Sequence, residues 1–140
     1  MGVPDRLQRR ITTSATRERA WAALTEPAHL LRWFPTHEAE IDLRPGGAAR
    51  FVWDGSADEA VIDVVDPLER LVFRWRPAGS DRPYTTVSIT LAEVDGGTTV
   101  TLEESGFASL PDVIEQEAYE GNAEGWTGEL AELTAYLEAA

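Results

Sequence analysis

Leu7 to Thr13 alternates, with Leu7 and Ile11 on one side of an extended segment and Arg9 interrupting that side, so a strand is expected over 7–13. Thr16 is a capping residue ahead of Arg17 to Thr25, where Glu18 falls in the first turn and Ala20 and Leu24 share a face. That predicts a helix. Pro27 suits the first position of a second, short helix through Leu30, Leu31 and Trp33, which Pro35 should stop. From Glu38 the period becomes two. Strands are expected over 38–43, 48–54, 60–66, 70–76, 84–93 and 98–106, punctuated by Pro45-Gly46-Gly47, Asp54-Gly55, Asp66-Pro67, the stretch Pro77 to Pro83, and Asp95-Gly96-Gly97. Connections this short join antiparallel neighbours rather than parallel crossovers.

The period then returns to 3.6. Ile114, Ala118, Gly121, Gly125, Trp126, Leu130, Leu133 and Leu137 form one stripe of a helix over 112–138, about 40 Å long at ~1.5 Å per residue. Gly121, Gly125 and Gly128 lie inside it, each costing up to about 1 kcal/mol relative to alanine. Either the helix backbone approaches the sheet closely there, or it borders a space. The order is a strand, two helices, about six antiparallel strands and one long helix. This is an α+β arrangement in which only the last helix is long enough to cover the sheet.

Composition narrows the function. A chain of 140 residues with 43% hydrophobic and 26% charged residues is expected to be a single folded domain over 1–140. It has no cysteine, so a disulfide framework, a thiolate metal site and a cysteine nucleophile are excluded. All 12 basic residues are arginine, against 25 acidic ones, for a net charge of −13. Such a chain repels a phosphate backbone, and Arg6, Arg9 and Arg10 read as a solvated strand face, so no nucleic acid is expected. No apolar run approaches membrane-spanning length and no secretory leader is visible at the start, which makes the cytoplasm the expected location.

Six segments in register carry a family resemblance: TRERAWAAL and TEPAHLLRWF (16–34), LRPGG (43–47), VDPLERLVFRW (65–75), GGTTVTLEESGF (96–107) and EGWTGELAELTAYL (124–137). In that order the chain is similar to the START-like (SRPBCC) superfamily, and within it to the family named after the Hsp-90 ATPase activator homologues. The resemblance implies the helix-grip (START-like, Bet v-like) fold, a curved antiparallel sheet of about seven strands wrapped on a long C-terminal helix. It also implies a cavity between the sheet's concave face and that helix, often serving an apolar small molecule. In the larger eukaryotic co-chaperone this domain is only the C-terminal half, so co-chaperone activity carries over poorly to one domain.

The candidate cavity residues are Trp33 and Phe34 of the short helix, Phe51, Trp53, Phe73 and Trp75 of the strands, and Gly125 and Trp126 of the last helix. Small-molecule pockets are concave and mostly apolar, and glycines opposite large aromatics can leave room. Leu102 and Glu104 follow Val100 on the inward side of their strand. A carboxylate there needs a partner, for which Arg50, Arg74 or a cationic ligand is available. His29 and His37 flank Trp33-Phe34 without metal-ligand spacing, so neither metal nor cofactor is expected. There is no Gly-x-Ser-x-Gly elbow and no converging catalytic set, leaving catalytic residues unassigned. The expected function is a binding protein for an apolar or aromatic small molecule in an internal hydrophobic cavity, rather than an enzyme. Two alternatives stand beside it: a stress-related protein-interaction domain, and a cyclase- or hydrolase-like enzyme on a polyketide-like substrate. Apolar residues on both sides of Val61 to Val65 also raise a homodimer as an expectation.

Overall fold

The computed structural model describes residues 4–34 and 37–139. The chain runs β1 (Arg6–Thr13), α1 (Arg17–Thr25), α2 (Pro27–Trp33), β2 (Glu38–Ile41), β3 (Ala48–Trp53), β4 (Ser56–Asp66), β5 (Arg70–Pro77), β6 (Thr85–Val94), β7 (Gly97–Ser105) and α3 (Asp112–Glu138), with a 3-10 turn at Phe107–Ser109. The Thr16 hydroxyl accepts from the Arg19 amide at 3.2 Å and caps α1. The stop expected at Pro35 lies outside the described residues.

All seven strands join one antiparallel sheet in the order β1-β7-β6-β5-β4-β3-β2. The first strand therefore pairs with the last, Leu7 opposite Glu104 and Ile11 opposite Val100. A register shift between Ile62 and Val64 interrupts the β4–β5 ladder, the kind of bulge that bends a strand and increases its twist. The sheet curves around α3. This is the helix-grip arrangement.

Period-two alternation decides which side chains face the helix. Leu71, Phe73, Val87, Ile89, Val100 and Leu102 are buried on the inner face, and Trp126, Leu130, Leu133 and Leu137 meet them from α3. Each such side chain contributes about 1.5–3 kcal/mol on burial. Arg9, the interruption in β1, reaches α3 instead of solvent: its Nε donates to Thr127 Oγ1 at 3.0 Å and a terminal nitrogen to the Ala123 carbonyl at 3.4 Å.

Two boundaries differ from the pattern by two residues or more, and several others by one. β2 ends at Ile41 rather than residue 43, because residues 42–47 form the bend that carries Gly46 at φ 85°. β4 begins at Ser56 rather than residue 60, since Asp54-Gly55 is a two-residue hairpin turn and Trp53 pairs directly with Ser56. The polar run Ser56 to Glu59 reads as loop by composition, yet its alternation continues that of Ala60 and Ile62. This extension puts Asp58 on the inner face.

Candidate functional site

The expected aromatics come together around Phe34, at the C-terminal end of α2. Its ring stacks on Trp126 at 5.5 Å and on Trp75 at 6.1 Å, and meets Trp53 edge-on at 5.1 Å. Phe51 and Trp53 close one side, while Trp75 and Trp126 stack on each other at 5.3 Å. Trp33 is fixed separately, its Nε1 donating to the Ala23 carbonyl at 2.8 Å. Beneath the cluster, the enclosed space bordered by Trp33, Phe34, Phe51, Phe73, Leu102 and Trp126 is only about 20 Å³. That is about one water in size, and its walls give a water nothing to bond. Phe34 fills the interior that the resemblance reserves for a ligand.

Glu104 lies behind the cluster and is 0% exposed. Neither arginine weighed as its partner reaches it. Arg74 forks onto Asp63 at 2.8 and 3.1 Å, and Arg50 is exposed, opposite Glu40 and Glu59 in the ladders. Four neutral donors meet the carboxylate instead. Trp75 Nε1 donates to Oε2 at 2.8 Å and Thr85 Oγ1 to the same oxygen at 2.6 Å. Trp126 Nε1 donates to Oε1 at 2.9 Å, and the Asn122 amide reaches both oxygens at 3.2 and 3.0 Å. Hydrogen bonds to an ionised acceptor are the stronger class. One carboxylate from β7 thus fixes the edges of two indoles, one on β5 and one on α3, and their faces are set with them.

On the other side of these indoles an open cleft of about 260 Å³ separates α3 from the ends of β3, β4 and β5. Phe34, Trp53, Trp75 and Trp126 supply its aromatic wall, and Gly121 and Gly125 its helical border. The glycines do not permit close packing: a Cβ at either would have no neighbour within 4 Å. The space expected from the interior glycines is therefore this cleft.

Its remaining lining is polar. Asp58, Arg76, Arg82, Asn122 and Glu129 border it. Burial pushes the Asp58 carboxyl up to about 6, with the Glu104 charge adding to the effect and Arg82 opposing it. Burial, then the Glu132 charge, pushes Glu129 up to about 7. Arg76 is committed, its Nε donating to Glu59 at 2.9 Å, a terminal nitrogen to the Arg82 carbonyl at 3.1 Å, and its plane lying 4.3 Å from the Tyr84 ring centroid. By contrast, Arg82 Nε and Glu129 Oε2 are buried atoms without a hydrogen-bond partner among the described residues.

Of the ten residues expected to line a cavity, Phe34, Trp53, Trp75, Gly125 and Trp126 border the cleft. Trp33, Phe51, Phe73 and Leu102 belong to the closed interior, and Glu104 braces the wall from behind. The sequence reading missed Asp58, Arg82, Asn122 and Glu129. The extended β4 alternation signals Asp58, and position i+4 from Gly125 signals Glu129. Arg82 sits on a connection whose path no periodicity records. The histidines are elsewhere: His29 Nδ1 lies 2.6 Å from the Tyr136 hydroxyl, and His37 lies 3.7 Å from Asp54. No group of metal-ligating side chains exists among the described residues, and no helix among them is long and apolar enough to cross a membrane.

Residues 14–138 match the family described as Activator of Hsp90 ATPase homolog 1-like protein. The chain belongs to that family. Solved structures agree with this membership. Protein MLL2253 from Mesorhizobium loti superposes with a TM-score of 0.83 at 26% identity, covering 94% of this chain and 96% of its own. CalU16 from Micromonospora echinospora gives 0.73 at 26% identity, over 98% of this chain and 81% of its own. DynU16, from the dynemicin biosynthetic locus, gives 0.78 at 25% identity over 96% of this chain, which spans only 48% of that longer protein. No curated protein is a significant match. Within the family's helix-grip frame, this chain fills the interior with its own aromatics and opens the space beside Gly121 and Gly125.

Proposed function

We propose that this protein binds a small aromatic molecule in the cleft between α3 and the ends of β3–β5. One observation carries the reading: a cleft of about 260 Å³ walled by Phe34, Trp53, Trp75 and Trp126, beside two helix-interior glycines whose missing side chains keep it open. Ring faces held by a buried carboxylate form a rigid platform, which lowers the ordering cost of binding. DynU16's origin in a biosynthetic locus supports a small-molecule role. The cleft is complete within one chain, so binding needs no second copy, and a homodimer is a separate question for light scattering. Among the described residues the exposed large apolar side chains are Leu31, Leu43 and Val94, on three different segments, which favours a ligand over a protein surface.

The test is Gly125→Leu. An aromatic probe such as naphthalene-1-methanol should quench tryptophan fluorescence in the wild type and raise its melting temperature by mass action, about 2.7 kcal/mol at a hundredfold excess over Kd. In Gly125→Leu the fold should persist while both effects weaken at least tenfold. Unchanged binding in that variant, or no binding of any aromatic probe to the wild type, would remove the cleft from consideration.

A further inference from the structure

The polar side of the cleft carries information that an aromatic wall alone does not. Two carboxylates, Asp58 and Glu129, and two guanidiniums, Arg76 and Arg82, line it. Glu59 already engages Arg76, and Glu104 is met by neutral donors only. What remains along the lining is Asp58, Glu129 and Arg82, and among the described residues the buried Glu129 Oε2 and Arg82 Nε have no hydrogen-bond partner. A buried acceptor without a donor is costly, and a ligand with the complementary group recovers that cost on binding.

We infer that the cleft selects an aromatic ligand bearing a protonated amine, its ring against the Phe34–Trp53–Trp126 wall and its ammonium on the Asp58 and Glu129 side. This rests on the binding reading above and specifies its ligand class. Three features agree on a cation. With Arg76 paired to Glu59, the lining presents two carboxylates against one guanidinium, Arg82. Indole faces attract cations, most strongly where water is excluded. A protein of net charge −13 draws cations toward it. Arg82 Nε, a buried donor without a partner among the described residues, calls for a neutral oxygen on the same ligand, a carbonyl or a hydroxyl.

A further consequence separates this ligand class from a neutral one. Asp58 faces Arg82 and Glu104, and Glu129 faces Glu132 along its own helix. With Asp58 titrating at about 6 and Glu129 at about 7, both carry protons below neutrality. An ammonium favours their ionised forms, so its binding releases protons and its affinity rises with pH until both carboxyls are ionised. A neutral ligand has no such dependence.

The experiment compares three probes on the intact protein by isothermal titration calorimetry: 1-naphthylmethylammonium, naphthalene-1-methanol and 1-naphthoate. At about pH 8 the amine should bind at least about tenfold tighter than the alcohol and the carboxylate weakest, and at about pH 5.5 the amine's advantage should fall severalfold. The Asp58→Asn/Glu129→Gln double variant should lose the preference for amine over alcohol. If that variant does not fold, the wild-type pH dependence alone still decides. An alcohol that binds as tightly as the amine at pH 8, or a preference that survives in the double variant, overturns the inference and leaves the aromatic-cleft reading standing. Failure of all three probes to bind overturns both.

Discussion

Replacing Glu104 by leucine tests the organisation of the whole site. Leucine fills similar volume but accepts no hydrogen bond. Trp75 Nε1 and Trp126 Nε1, which now donate at 2.8 and 2.9 Å in a fully buried setting, lose their acceptor. Each orphaned donor costs about 1–3 kcal/mol. Thr85 can turn its hydroxyl, and half-buried Asn122 can find water, so these two add little. Against that loss stands the relief of no longer burying a charge, which is several kcal/mol for an ion in isolation. Most of this relief is absent where four donors already solvate the carboxylate. A net loss of about 2–4 kcal/mol follows, a large part of the ~5–15 kcal/mol that holds a domain of this size together. Glu104→Gln keeps a carbonyl for one indole and turns an amide on the other, so its loss should be smaller, about 1–3 kcal/mol. Urea unfolding at neutral pH measures both, followed by tryptophan fluorescence and far-UV circular dichroism. Near-UV circular dichroism should also change as the stacked pair at 5.3 Å loosens. A Glu104→Leu protein within about 1 kcal/mol of the wild type would refute the clamp, because two buried indoles cannot lose their acceptor so cheaply.

Gly125→Ala should stabilise the fold by up to about 1 kcal/mol, since the helix gains propensity and the new Cβ meets nothing within 4 Å; thermal melts measure it. Gly97→Ala should do the opposite, because its Cβ would fall 2.3 Å from the Thr13 carbonyl oxygen; a melting temperature unchanged within a degree would contradict the β1–β7 geometry. Stability should fall as pH rises from about 4.5 through 7. Asp58 and Glu129, raised to about 6 and about 7, bind more protons folded than unfolded across that window. Glu138 acts oppositely. The Ser14 and Thr13 hydroxyls and the Ser14 amide hold it down at about 2, so its contribution is present above its ordinary value of 4.5 and is lost as pH falls toward 2. Denaturant midpoints across pH should show both limbs, and Glu129→Gln should flatten the upper one.

The fold was legible because its signals are periodic. A strand alternation, a capped helix and a 3.6-residue stripe survive in any register of the chain, and residues 112–138 emerge as α3 with the boundaries the stripe implies. The candidate site was legible only in its apolar half. Large aromatics announce that they will be buried, but not whether they enclose a space or fill it. That depends on Phe34, which stands at the end of α2 with φ −107° and ψ −97°, outside the helical pattern that periodicity can follow. The polar half was hidden by sequence distance. Glu104, Thr85, Asn122 and the two tryptophans converge from four elements, and their meeting depends on registers such as Val87 opposite Glu104 that no local pattern encodes.

Glu104 explains why a ligand site would sit in the cleft rather than the interior. An apolar interior needs no carboxylate, and burying one is costly unless its oxygens are satisfied. Here four donors satisfy it, and two of them are indoles that border the cleft. The carboxylate ties the sheet to the helix at the level of Gly121 and Gly125, where α3 presents no side chain to the cleft at those two positions. Without the tie, a helix with two glycines beside an open space has little to hold its distance from the sheet. With it, the width of the cleft is fixed by hydrogen bonds rather than by packing, so the space can stay open without weakening the grip of the sheet on its helix.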